Sequence, residues 1–265
     1  GRTTKRVRHA RLNASLFTGG HARQNWVMTR LALNLFPDVQ PTVLVSRTES
    51  LGPRRWVAYG RIEGAAESQF IMAVDQENIA ATAFIPGRGT FRMLSDGTGM
   101  QTIAELDRFG FGVCGSEDLT VKAIENAAVR KDRLPGSPAT LATIPPASAP
   151  TTNLVTIVDV MVVYTTEARV GGGGTSAMNT LIDLAVAEAN TVYQNSEANV
   201  RLGLVHRGEV NYVEASSLLT NLNRLQNKTD GFLDEVHALR DTNRADVVCL
   251  ITERSAPGVV GKAFT

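Results

Sequence analysis

Four histidines, two cysteines and a run of glycines are the residues of this 265-residue chain whose types invite a chemical reading. A catalytic zinc needs about three protein ligands, and a helix supplies two as His-Glu-x-x-His because positions i and i+4 face one metal. No pair among His9, His21, His206 and His237 has that spacing. In Glu235-Val-His237 the two side chains would leave a helix about 200° apart and cannot share an ion. His206 continues the alternating face of a predicted strand and reads as a rim residue rather than a ligand. No zinc site can be built from these residues. Gly171–Gly174 follows a predicted strand and precedes a predicted helix, the arrangement of phosphate-binding loops. It lacks the third glycine of G-x-G-x-x-G, stands apart from the strand by Thr165–Val170, and has no Walker lysine, so a flexible loop is expected.

The two cysteines differ in context. Cys249 lies within Asp246-Val-Val-Cys-Leu-Ile251, which reads as a buried strand where the thiol acts as a small hydrophobe. Cys114 sits in Phe111-Gly-Val-Cys-Gly-Ser-Glu-Asp118, which reads as an exposed loop, and the contrast argues against a disulfide between them. Gly112-Val-Cys114-Gly-Ser116 lacks the second glycine of a nucleophile elbow, and no histidine is tied to it by sequence. Asn13-Ala-Ser15 and Asn227-Lys-Thr229 fit the glycosylation pattern, which is too short to weigh.

The chain is 43% hydrophobic and 20% charged, with 27 Lys+Arg against 26 Asp+Glu. That composition excludes a disordered chain, a collagen and a disulfide-stapled miniprotein. A net charge of +1 gives no reason to expect a nucleic-acid partner, and no apolar run approaches the ~18 residues that cross a bilayer. The first eleven residues carry five basic groups and no acid, yet no apolar stretch follows. No signal peptide is visible, and the chain reads as having a trimmed start.

Five of the ten prolines fall within 131–153 (Pro135, Pro138, Pro145, Pro146 and Pro150), so this stretch is expected to be a semi-extended linker. It separates a domain at 1–130 from another at 154–265. The first reads as β-rich. Thr42–Ser46, Arg55–Arg61, Gln69–Val74 and Ile79–Ile85 alternate polar and apolar residues, and Gly87-Arg-Gly89 and Asp96-Gly-Thr-Gly99 read as hairpin turns. A sheet or small sandwich is expected. In the second, Val155–Tyr164 reads as a strand buried on both faces, and Thr175–Asn195 as an amphipathic helix with Thr175 or Ser176 as N-cap. A half-buried strand at Val200–Leu204, two short helical patterns from Leu218 and Phe232, the strand Val247–Ile251 and a glycine-bounded tail follow. The order β-α-β-α-α-β-β implies an α+β or α/β unit with a mixed sheet.

That order, with Val158-Asp-Val-Met-Val-Val-Tyr-Thr165 and Ala187-Glu-Ala-Asn-Thr-Val-Tyr193, resembles the opening of reprolysin-like (adamalysin-like) metzincin peptidases, especially their bacterial branch. Strand Asn199–His206, helix Leu233–Arg240, strand Ala245–Thr252 and the ending Gly258-Val-Val-Gly-Lys-Ala-Phe264 follow the same plan over about 110 residues. The N-terminal region resembles the prosegment of such enzymes through Asn34-Leu-Phe-Pro-Asp38 and Trp56-Val-Ala-Tyr-Gly-Arg61. The resemblance implies a secreted, zinc-dependent endopeptidase precursor acting on protein or peptide substrates. In the family the His-Glu-x-x-His helix follows the strand that Gly261–Phe264 would begin. The expectation is therefore a prosegment plus the N-terminal part of a catalytic domain, with the zinc ligands absent and no activity by itself.

Two assignments carry over onto named positions. Cys114 resembles the cysteine that prosegments place on the zinc, where a thiolate displaces the attacking water; the alternative is an exposed thiol. Gly261, Lys262, Ala263 and Phe264 resemble the edge strand that pairs with an extended substrate; the alternative is an ordinary surface strand. A competing class is a non-catalytic binding or protease-inhibitory two-domain protein. A binding domain of the integrin kind would show Asp-x-Ser-x-Ser after its first strand, where this chain has Tyr164-Thr-Thr-Glu-Ala-Arg169.

Overall fold

A computed structural model describes residues 3–11, 27–107, 109–111, 113–114, 155–254 and 259–263. The proline-rich stretch 131–153 and Asn13–Ser15 lie outside them. Eight antiparallel strands build the N-terminal half: β1 (Thr4–Arg11), β2 (Arg30–Ala32), β3 (Thr42–Gly52), β4 (Arg55–Ile62), β5 (Gln69–Asp75), β6 (Asn78–Ile85), β7 (Gly89–Ser95) and β8 (Met100–Leu106). They form one sheet in the order β1-β8-β7-β6-β5-β4-β3-β2, a meander closed at one edge by the first strand. Both predicted glycine turns join strands here. β1 is an addition, since its alternating basic residues read as an end rather than as an edge strand. Arg6 explains the pattern: its guanidinium reaches Glu105 at 2.7 Å and Asp38 at 2.7 Å, and lies 4.0 Å over the Phe36 ring.

One face of this sheet buries Val43, Val45, Phe70, Met72, Val74, Ala81 and Phe91 under the segment Leu33–Val39. Strict alternation predicts a solvated second face, yet β5 is buried at five consecutive positions from Phe70 to Val74. The cause lies in the C-terminal half. Its elements are β10 (Thr156–Tyr164), α1 (Thr166–Gly171), α2 (Thr175–Asn195), β11 (Val200–Glu209), α3 (Leu218–Gln226), α4 (Asp234–Asn243) and β12 (Val247–Ile251). The helix α2 lies between two sheets. Leu184 and Ala187 pack on Val57, Ile71, Ala73 and Ala80 of the N-terminal sheet, while Met178 and Ile182 pack on Val160, Val162 and Tyr164 of β10. The far side of β10 buries Met161 and Val163 against Leu233, Val236 and Tyr212. The layers thus run sheet, helix, sheet, helices.

The C-terminal sheet has the order β11-β10-β12, and both of its pairings are parallel. The antiparallel partner that a mixed sheet requires is not among its described strands. Two local expectations change. Thr165 caps a short helix, α1, too brief to show a periodic signal in the sequence: its hydroxyl accepts from the Ala168 N–H at 3.0 Å. The glycine run is not a loose loop but a tight turn, and Gly174, with φ 100°, replaces Thr175 or Ser176 as N-cap of α2. A Cβ on Gly173 would come within 2.8 Å of the Asp96 backbone, so the glycines permit the β7–β8 hairpin turn to sit on the start of α2.

Candidate functional site

After β12 the described chain resumes with β13 (Val259–Gly261), followed by Lys262 and Ala263. β13 is paired, in parallel, with β9 (Val113–Cys114): Val259 stands opposite Val113 and Gly261 opposite Cys114. The two segments singled out from sequence, about 145 residues apart, meet in one two-stranded ladder. Among the described residues, nothing lies within 4 Å of a Cβ built on Gly261. Phe264 lies outside the described residues.

Between β13, β12 and α3 runs a cleft of about 660 Å³, with apolar walls from Leu218, Leu222 and Leu225 on the helix and Val248 and Leu250 on the strand. Cys249 corrects an expectation here. It is in the predicted strand, but it is exposed, because β12 has β10 on one side and the open cleft on the other. The protein mass around the cleft still pushes its thiol pKa up.

A buried carboxylate holds the start of the connection from β12 to β13. Glu214 is 3% exposed and accepts from the backbone N–H of Glu253 at 2.7 Å and of Arg254 at 2.9 Å, and from the Thr165 hydroxyl. Thr165 thereby caps α1 with its lone pair and donates to Glu214 with its proton, tying the end of β10 to the segment leading to the edge strand. No ion pair joins Glu214 among the described residues, so these three donors carry its stabilisation. Sequence reading missed it, since an isolated Glu in Tyr212-Val-Glu-Ala215 has no local signature.

The histidines stay apart. His206 is half-buried on β11, His237 Nε2 meets the Asn227 carbonyl at 3.1 Å, His9 Nδ1 meets the Thr102 hydroxyl at 3.3 Å, and His21 lies outside the described residues. Among the described residues no three His, Cys, Asp or Glu side chains stand close enough to hold a metal ion.

The sequence of the unit that holds this cleft is similar to known proteins. Residues 154–265 match the sequence model of the family described as metallo-peptidase family M12B, reprolysin-like. Over these residues the C-terminal region is similar to reprolysin-like metallopeptidases. It is 39% identical over 97 residues to a peptidyl-Asp metalloendopeptidase of Stenotrophomonas maltophilia strain K279a, a match spanning 37% of this chain and 23% of the relative. The protein of the same name from Xanthomonas campestris pv. campestris is 37% identical over 97 residues, again 37% and 23% of the two chains. That from S. maltophilia strain R551-3 is 39% identical over 101 residues, or 38% and 24%. The matched stretch is thus under a quarter of the length of these relatives. The resemblance drawn from Val158–Thr165 and the element order is borne out. Such a family implies a metal, but the described residues do not supply its ligands. Among the described residues no helix is long and apolar enough to cross a membrane.

Proposed function

We propose that this chain is part of a secreted, zinc-dependent endopeptidase precursor of the metzincin class, in which residues 1–130 act as the prosegment. The observation that carries this is the pairing of Cys114 with Gly261. An edge strand offers unpaired N–H and C=O groups that an extended peptide can use whatever its side chains, which is what a protease requires of a substrate site. The pairing of β9 with β13 supports the reading that the segment containing Cys114 stands where an extended peptide would pair with β13. The pairing supports reading Gly261–Phe264 as substrate-binding. It also supports reading Cys114 as the residue carried to the catalytic centre, where a sulfur ligand would hold the enzyme latent until the segment leaves. Ala263 and Lys262 would extend the same contact. The name shared by the relatives suggests peptide bonds at aspartate as the substrate class. By themselves, residues 1–265 are proposed to be inactive.

The test is Cys114→Ala in the polypeptide that carries these residues at its natural length. Hydrolysis is followed on a protein substrate and on peptides with and without aspartate, with and without a zinc chelator. The expected result is chelator-sensitive cleavage that starts without a lag in the variant and only after processing in the parent. Unchanged latency would remove Cys114 from the inhibitory role. Absence of cleavage in both proteins, after processing, would overturn the peptidase reading.

A further inference from the structure

We propose that Lys262 selects the peptide seated on β13 by charge, pairing with a carboxylate side chain, aspartate or glutamate, of the extended substrate. The inference rests on the reading of Gly261–Phe264 as substrate-binding, and adds which substrate side chain is recognised and by which residue. Backbone pairing alone gives an edge strand no means of telling one peptide from another. Selectivity has to come from side chains at its rim.

The cleft between β12, β13 and α3 is the space beside that rim, and its lining carries charge at one place. Leucines of α3 and the apolar residues of β12 form its walls, while Asn221, Gln226 and Thr252 bring polar groups without charge. Lys262 is the one charged residue among the described residues that line it. It is half-buried and follows Gly261, the last position of β13 paired with Cys114. The ladder and the cleft therefore meet at this lysine.

A cation between apolar walls acts on an entering group more strongly than the same cation on an open surface, because low-dielectric walls focus its field. A carboxylate gains that attraction. A neutral amide of the same shape gains a hydrogen bond at most, and a cationic side chain is repelled. The reach is suitable. Side chains facing across paired strands have Cβ atoms about 4.5–5.5 Å apart, within the span of a lysine stem and a short acidic residue. Lysine on an edge strand also guards against pairing with other edges, but that role predicts no discrimination between peptides.

The experiment uses the polypeptide at its natural length, processed to the active form, as parent and as Lys262→Met, Lys262→Arg and Lys262→Glu. Three peptides that differ in one residue beside the cleaved bond, Asp, Asn or Lys, serve as substrates, and mass spectrometry identifies the products. The readout is the ratio of kcat/KM for the Asp peptide to that for the Asn peptide. In the parent this ratio should exceed one and fall as salt rises. Lys262→Met removes the charge and should lower it about ten- to a hundredfold. Lys262→Arg should retain most of it, and Lys262→Glu should turn the preference toward the Lys peptide. A ratio unchanged in Lys262→Met, an equal loss in Lys262→Met and Lys262→Arg, or a parent indifferent to Asp and Asn would overturn the inference and leave the peptidase reading intact. Absence of cleavage by the processed parent would remove the peptidase reading, and this inference with it.

Discussion

Replacing Glu214 tests whether a buried carboxylate organises the approach to β13. Its oxygens take three donors: the amides of Glu253 and Arg254 and the Thr165 hydroxyl. Hydrogen bonds to a charged group contribute about 1.5–3 kcal/mol each. Glu214→Ala loses all three, but it also relieves the burial of a carboxylate that has no ion-pair partner among the described residues, a penalty of several kcal/mol. The net destabilisation expected is about 2–4 kcal/mol. Glu214→Gln keeps the shape and one acceptor oxygen, on which Thr165 and Glu253 converge. Its amide nitrogen then faces the Arg254 N–H, donor against donor, for a loss of about 1–3 kcal/mol. Thermal unfolding should show the order parent, Gln, Ala, with roughly 2–4 °C lost per kcal/mol for a unit of this size. Hydrogen exchange localises the effect: both amides should lose protection in Glu214→Ala, and that of Arg254 chiefly in Glu214→Gln. Two variants alike within about 0.5 kcal/mol of the parent, or unchanged exchange at residues 253 and 254, would refute the reasoning.

Leu184 is fully buried between the two halves, and Leu184→Ala should cost about 2–5 kcal/mol in a denaturant titration, with protection lost on Ala73 and Ala80 as well as on α2. Asp38, Asp96 and Glu209 have carboxyls held below their ordinary values, chiefly by the Arg6 guanidinium, the Thr98 hydroxyl and the Thr166 hydroxyl respectively. A carboxyl depressed in the folded state contributes stability above its unfolded value, 3.8 for Asp and 4.5 for Glu, and loses it as pH falls through the folded value. Melting temperature should therefore decline from about pH 5 downward, and Asp38→Asn together with Glu209→Gln should flatten that slope. A slope unchanged in the double variant would show that other groups govern acid unfolding.

Periodicity carried much of the local structure. Alternation marked β3 to β6, helical spacing marked α2 to its last residue, and a continuous apolar run marked β10. These signals are legible because side chains repeat every 2 or about 3.6 residues within an element, whatever the element later packs against. The short α1 escaped because its signal is a single N-capping Thr165. The edge strand β1 escaped because its basic residues are explained by partners distant in sequence, Asp38 and Glu105 for Arg6 and Asn34 for Arg8.

The chain's own residue types thus determined the family resemblance, the division into a β-rich and an α/β half, and the two segments around Cys114 and Gly261. Tertiary structure decided what those segments do to each other. That β9 lies on β13 depends on where the two halves meet, through Leu184 on the N-terminal sheet and Arg55 on Asp183, contacts between residues more than a hundred positions apart. Exposure was decided there too. The same apolar pattern buries the second face of β5, because α2 covers it, and leaves Cys249 open, because β12 borders a cleft. Burial belongs to the neighbour as much as to the residue, and a linear sequence does not name the neighbour.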